Sequence, residues 1–259
     1  MVLLGTGTSH GVPVIGCPCP TCHSTDPRNR RTRCSAVVGL PEGNLLIDTP
    51  PELRIQLLRE GVGIVHAALF THEHADHLFG LDDLRIFSQY LNREIPLYCD
   101  QTVEARIRQA FSYAFNSGHD PYYAGGVPRL AFRRMDGQPL SILGARVTPI
   151  RLLHGKASIW GFRFGNVAYC TDASHVPDES RPLLAGLDVL VLNCLRHRPH
   201  PTHFHVDDAV RTAVSLAARK TYFTHLCHDL EHETFARSLP AGMEPAYDGL
   251  AFDLQSVTE

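Results

Sequence analysis

Residues 71 to 77 read THEHADH and follow the apolar run AALF directly. This places His72, His74, Asp76 and His77 within six positions. A spacing of two cannot set His72 and His74 on one helix face, where neighbours are three or four apart. Both must project from a turn at the end of a strand, where several side chains can converge. Neutral imidazole and carboxylate are the donors that suit zinc, manganese and iron. The same arrangement recurs downstream: His154 in LLHG, Asp172 in CTD after VAYC, and His225 in FTH after TYF. Each of these alone is an ordinary cap or surface residue. Together with THEHADH they supply seven donors at the ends of apolar runs, which suits two adjacent ions sharing a carboxylate. The expected chemistry is hydrolysis by a hydroxide bridging two divalent ions, which lower the pKa of bound water and neutralise charge on a substrate oxygen.

A second cluster has softer donors. GCPCPTCH, residues 16 to 23, holds Cys17, Cys19 and Cys22 within six positions. Three thiols cannot pair completely, so one stays free or all three hold something else. The chain has eight cysteines but no mark of secretion, and thiols in a reducing compartment more often bind metal or stay buried. Cys99, Cys170 and Cys194 end apolar runs (PLYC, VAYC, LVLNC) and read as small buried hydrophobes. HPTHFHVDD offers His200, His203 and His205 ahead of a helix, as an acid for a leaving group or as plain caps. Lys156 could meet a substrate phosphate as a point charge, although a solvated lysine serves as well. In GTGTSHG, Thr6, Thr8 and Ser9 could line a pocket, but the spacing is not that of a nucleotide-binding loop, and a tight turn explains it equally.

The elements that must position these groups can be read from periodicity. The chain has 259 residues, 44% hydrophobic and 20% charged, enough for one substantial domain over 1–259. Strands are expected at Val2–Leu4, Ser35–Leu40, Asn44–Ile47, Ala67–Phe70, Arg129–Arg134, Ala145–Leu152, Trp160–Phe164, Val167–Cys170, Asp188–Leu192 and Thr221–Thr224, with Gly249–Leu254 closing the chain. Helices are expected over 51–61, Leu81–Leu91, Thr102–Phe115, Val206–Ala218 and Leu230–Leu239, and a loop at 116–128 that could cover a site. The turn PEGN joins two strands as a hairpin. Strand-rich halves followed by strand–helix alternation predict a layered α/β architecture, two sheets between helices. No apolar run approaches the roughly 20 residues of a membrane span, and MVLLGTGTSHG has no basic leader, so a cytoplasmic location is expected. A net charge of −3 argues against a general nucleic-acid or membrane binder. RRTR, residues 30 to 33, is the compact basic cluster and reads as an exposed turn.

HxHxDH with a later His, Asp and His resembles the signature of metallo-β-lactamase-fold hydrolases. The resemblance implies an αβ/βα four-layer sandwich of two mixed sheets flanked by helices. It places His72, His74 and His154 on one metal, Asp76, His77 and His225 on the other, and Asp172 between them. Asp76 is also counted among the catalytic groups. Asp48, in LLIDT, resembles the aspartate that supports the ligands from behind, although a helix cap is an equal use for it. More narrowly, GTGTSHGVPVIGCPCPTC and FTHLCHD are similar to the PhnP-type phosphodiesterases of the carbon–phosphorus lyase pathway. That likeness implies a structural zinc in the loop 10–34, held by Cys17, Cys19, Cys22 and His228, with His23 and Cys227 as nearby competitors. It also selects His203 over His205 as the acid.

The activity implied is hydrolysis of a small or cyclic phosphodiester with two manganese or zinc ions, iron being a third option. A homodimer is possible within that picture. The segment 110–134 departs from the PhnP pattern where substrate is selected. Rival readings are a ribonuclease Z-like nuclease, a lactonase or thioesterase, a di-iron redox enzyme and a non-catalytic scaffold. RNA would be grasped through a basic arm that the sequence lacks, so nucleic acid is expected only as a short substrate.

Overall fold

The computed structural model describes residues 1–116 and 126–254. Most of the predicted loop 116–128, and with it the middle of the segment 110–134, lies outside the described residues. Two mixed sheets form the centre. The first carries β1 (Val2–Gly5), β2 (Ser35–Leu40), β3 (Gly43–Ile47), β4 (Ala67–Leu69), β5 (Ile95–Cys99) and β6 (Leu130–Arg134), in that order. The second contains β7 (Leu140–Ile142), β8 (Ala145–His154), β9 (Ala157–Phe164), β10 (Val167–Cys170), β11 (Val189–Asn193), β12 (Lys220–Thr224) and β13 (Met243–Pro245), again in sequence order across the sheet. In each, one half is antiparallel and the other parallel: β3 to β6 and β10 to β13 run parallel.

Alternation within the strands decides which layer each side chain joins. On β2, Ala36 and Val38 face the core between the sheets while Val37 faces outward; on β3, Leu45 and Ile47 face inward and Leu46 outward. Phe162, Phe164, Tyr169 and Val191 meet them from the second sheet. The outer face of the first sheet is covered by α1 (Leu53–Arg59), the single turn α2 (Ala75–Leu78), α3 (Arg85–Tyr90) and α4 (Gln101–Ala110), through Leu53, Leu57, Leu78, Phe87, Val103 and Ile107. The outer face of the second is covered by α6 (Val206–Leu216) and α7 (His232–Ser238), through Ala209, Ala213, Leu216 and Phe235. This is the four-layer sandwich that the resemblance implied.

Several elements depart from the sequence reading. The predicted helix over Leu81–Leu91 is a 3-10 turn at Leu81–Leu84 followed by α3. The helix expected over Thr102–Phe115 stops at Ala110, and α5 (Tyr113–Asn116) follows as one turn. The helix expected over 51–61 is shorter, Leu53–Arg59, and of its leucines Leu53 and Leu57 are buried while Leu58 is 63% exposed. Strands β7 and β13 are too short to give a periodic signal. The closing segment forms one bridge, Ala251 with Val2, rather than a strand. RRTR is no exposed turn. Arg31 is buried, and its guanidinium donates to the carbonyls of Cys227 at 3.1 Å and Leu230 at 2.8 Å. Arg33 pairs with Glu52. Burial pulls the Arg31 pKa down to about 10.

The GTGTSHG stretch is a tight turn and also lines a pocket, since Thr8 and Ser9 face a cavity that His203 and His228 share. Thr6 and Thr8 are buried, and a Cβ on Gly5 would lie 1.9 Å from the Arg33 carbonyl oxygen. Leu226 N–H donates to the Thr6 carbonyl at 2.9 Å, and Thr6 donates to buried Asp248 through both its backbone and hydroxyl. The N-terminal loop is thereby zipped to the segment that leaves β12.

Candidate metal centre

The parallel strands deliver their polar residues at their carboxyl ends, where an open α/β sheet exposes a crevice. Asp48 follows β3, His72 to His77 follow β4, Asp172 follows β10 and His225 follows β12. His154 is the last residue of β8, longer than expected, and Gly155 turns the chain back with φ +62°. Asp48, Asp172 and His225 all have positive φ, at 60°, 59° and 62°. That left-handed backbone costs on the order of 1–3 kcal/mol at a non-glycine residue and clusters at functional sites. At Asp172 and His225 it swings the side chain off its strand and into one basin, and at Asp48 into the layer behind it.

There the seven predicted donors meet. His72, His74 and His154 each bring a ring nitrogen within 4.8 Å of the others. Asp76, His77, Asp172 and His225 form a second set on the same criterion. Asp172 joins the two, its Oδ2 lying 3.8 Å from His72 Nε2 and 3.1 Å from His225 Nε2, with Oδ1 3.3 Å from His77 Nε2.

Groups behind the basin fix which nitrogen faces inward. His77 Nδ1 donates to Asp48 Oδ2 at 2.7 Å. His72 Nδ1 donates to the Thr71 hydroxyl at 2.9 Å, which donates on to Asp48 Oδ2 at 2.8 Å. His154 Nδ1 donates to the carbonyls of Asp172 and Thr202, both at 2.7 Å. Asp48 thus braces His77 and Thr71 from behind and caps no helix. Left over are His72 Nε2, His77 Nε2 and both nitrogens of His225, all buried without a hydrogen-bond partner. Orphaned buried nitrogens beside carboxylates are a donor set that fits divalent cations. Burial opposes charge on His77, but Asp172, Asp48 and Asp76 outweigh it and raise its pKa well above the ordinary value. The same carboxylates would favour a cation at Nε2. Burial likewise opposes charge on Asp172, yet His225 and His77 hold its pKa far down.

Of the three histidines in HPTHFHVDD, His203 joins the basin. Its ring lies 4.5 Å from those of His154 and His225, and Nδ1 is 3.2 Å from Asn193 Oδ1. His205 instead pairs with Asp208 at 2.8 Å. Burial, then the neighbouring His225, push the His203 pKa down to about 2. Lys156 is exposed on the β8–β9 turn and lines neither cavity beside the basin. Asn193 and Thr71 escaped the sequence reading. Both are single polar residues at strand ends, and only a partner distant in sequence gives them a role.

The cysteine cluster is equally compact. His228 Nδ1 lies 3.2, 3.3 and 3.7 Å from the sulfurs of Cys17, Cys19 and Cys22. Three sulfurs and one nitrogen are a donor set that suits a closed tetrahedral zinc site. The Cys22 N–H donates to Cys19 sulfur at 3.4 Å and helps lower that thiol to about 6, while burial raises Cys22 to about 11. Neither His23 nor Cys227 joins this group, whose four donor atoms all lie within 4.8 Å of one another.

The Beta-lactamase superfamily domain matches residues 43–226, which hold the seven donors. The chain belongs to that superfamily. It superposes on the crystal structure of a diphosphatase of the PhnP family with a TM-score of 0.92 and 42% identity, covering 99% of this chain and 98% of that one. A protein of Porphyromonas gingivalis named octanoyltransferase is 35% identical over 252 residues, 96% of this chain but 50% of that polypeptide. This chain thus spans half the length of that relative. The short form of human tRNase Z shares the fold, with a TM-score of 0.66 at 16% identity over 98% of both chains. Superfamily membership and donor geometry together support a metal-dependent hydrolase. No helix among the described residues is long and apolar enough to cross a membrane.

Proposed function

We propose that this chain is a dinuclear metal phosphohydrolase acting on a small phosphodiester, diesters of diphosphate included. The observation that carries the reading is Asp172, one carboxylate within 3.8 Å of histidines from both donor sets. His72, His74 and His154 would hold one divalent ion, and Asp76, His77 and His225 the other. Manganese and zinc both suit these donors. Such a pair supplies an activated water and neutralises a phosphoryl oxygen. A structural zinc on Cys17, Cys19, Cys22 and His228 would anchor the N-terminal loop.

The chain's own residues supply orientation and the proton. Hydrolysis forms one O–P bond and breaks another, and the departing oxygen needs a proton if it leaves as an alkoxide. His203 is placed to give it. In the neutral ring the proton sits on Nδ1, facing Asn193 Oδ1, and Nε2 faces the basin. His203 becomes a donor only by taking up a proton as the anionic substrate enters, because a nearby negative charge favours the imidazolium. The likeness to a PhnP-family diphosphatase favours phosphorus as the reacting centre over a lactone or thioester carbonyl.

The test is hydrolysis of bis(p-nitrophenyl) phosphate by protein supplied with manganese or zinc, beside Asp172→Ala. Turnover that requires metal and vanishes in the variant is expected. A protein inert toward phosphodiesters but active on a lactone or thioester overturns the reading.

A further inference from the structure

The ion site predicted on His72, His74 and His154 draws on both sheets. His72 and His74 follow β4 in the first, and His154 ends β8 in the second. Its geometry therefore depends on how the two sheets are held together at this edge. Trp160 spans the gap. It lies on β9, in register with Arg151, which stands three residues before His154 on β8. The Trp160 main-chain N–H donates at 3.0 Å to the carbonyl of Thr71, the residue before His72. Its indole Nε1–H donates at 3.0 Å to Oδ2 of Asp100, the residue after β5.

Asp100 divides its two oxygens between two tasks. Oδ2 holds the indole, and Oδ1 accepts the Val103 N–H at 2.9 Å and caps α4. The cap sets where α4 begins, and α4 supplies Thr102, Arg106 and Gln109 to a cavity of about 470 Å³ that includes His74. His74 depends on such surroundings. His72, His77 and His154 each have Nδ1 bound from behind. His74 is exposed, and its ring makes no hydrogen bond among the described residues, only edge contacts with His72 and His154. Its place rests on the backbone that carries it. The indole, in turn, is well confined. Trp160 is buried, the Arg151 guanidinium lies 5.7 Å from its ring centroid, and a Cβ on Gly137 would lie 3.1 Å from the ring edge. A buried indole N–H needs an acceptor, and a carboxylate makes the stronger kind of bond.

We infer that Trp160 and Asp100 are a positioning pair that sets the spacing of His72 and His74 from His154, and with it the affinity of the ion those three would hold. This rests on the dinuclear reading above and adds which residues outside the donor set govern the balance between its two sites. Asp172 and His225, which serve the other ion, follow β10 and β12, outside the β8–β9 hairpin. The second ion is therefore less dependent on the pair.

The test is a manganese titration of protein that carries zinc on its cysteine cluster, with free manganese counted by electron paramagnetic resonance. Manganese favours oxygen and nitrogen donors and leaves the thiolates to zinc. The wild type should take up two ions per chain in two steps. Trp160→Phe removes the indole donor. Asp100→Asn keeps an oxygen for the α4 cap while its amide confronts the indole N–H. Each should weaken one step about three- to tenfold, the net worth of one hydrogen bond, and leave the other step unchanged. The double variant should be no worse than the weaker single, because both changes break the same bond. In His74→Ala, where the affected ion is already lost, adding Asp100→Asn should do nothing more. Trp160 is the chain's single tryptophan, so its emission should move to longer wavelength in Asp100→Asn as water reaches the freed indole. A pair that merely supports the fold would lower Tm and weaken both steps alike, and that result overturns the proposal. Additive losses in the double variant, or an unshifted emission, do the same. A wild type that binds fewer than two manganese ions overturns the dinuclear reading beneath it.

Discussion

The two donor clusters meet in one short stretch, His225 to His228, yet they are built on opposite plans. The basin takes oxygen and nitrogen donors from the ends of strands, and two of them, Asp172 and His225, hold positive φ to reach inward. Asp48, Thr71 and main-chain carbonyls orient its rings from behind. The cysteine set hangs on a loop with little regular structure, and its donors are sulfur closed by one nitrogen. A site that must leave room for substrate is held open by the scaffold. A site that only ties chain to chain can be closed by its own ligands. Arg31 connects the two plans, joining the loop's own strand of chain to the carbonyls of Cys227 and Leu230.

This contrast can be broken at either end. Asp172→Ala carries the largest expected effect, reducing phosphodiesterase activity to background with the fold retained, as circular dichroism and turnover would report. Next comes His203→Asn. It should slow diesters with an alkoxide leaving group by about 10²–10⁴-fold, the usual worth of general acid catalysis. The loss should be much smaller with p-nitrophenolate, which leaves without a proton; equal losses on both leaving groups would remove the acid role. Asp48→Asn sharpens the scaffold side. Losing the carboxylate behind His77 and Thr71 should weaken catalytic metal binding by about 10–100-fold, read by manganese titration. The smallest catalytic effect belongs to Cys19→Ser, which should lower bound zinc by one ion per chain and reduce Tm while kcat changes little. A variant that keeps its full zinc content would refute the structural site.

Much of this molecule was legible because strands announce themselves locally. Apolar runs closed by His or Asp gave β3, β4, β10 and β12 and the donors at their ends. The break between α4 and α5, and strands β7 and β13, carried too few residues for a period to show. Among site residues, THEHADH was readable through density alone. Asn193 and Thr71 were not, since a single polar residue at a strand end has many ordinary uses.

The amino-acid sequence by itself determined the donor types, their placement at the ends of apolar runs and the division into a nitrogen–oxygen set and a sulfur set. Only the tertiary structure decided that Arg31 is buried, that Lys156 stays outside, and that Arg196 and Arg198 share a cavity; the choice of His203 over His205 was already made by likeness to the family and was met by the packing. The physical reason is range. Periodicity fixes where a side chain points relative to its own element, a matter of a few residues. Convergence of groups more than a hundred positions apart depends on how two sheets pack and on the hydrogen bonds that cross between them.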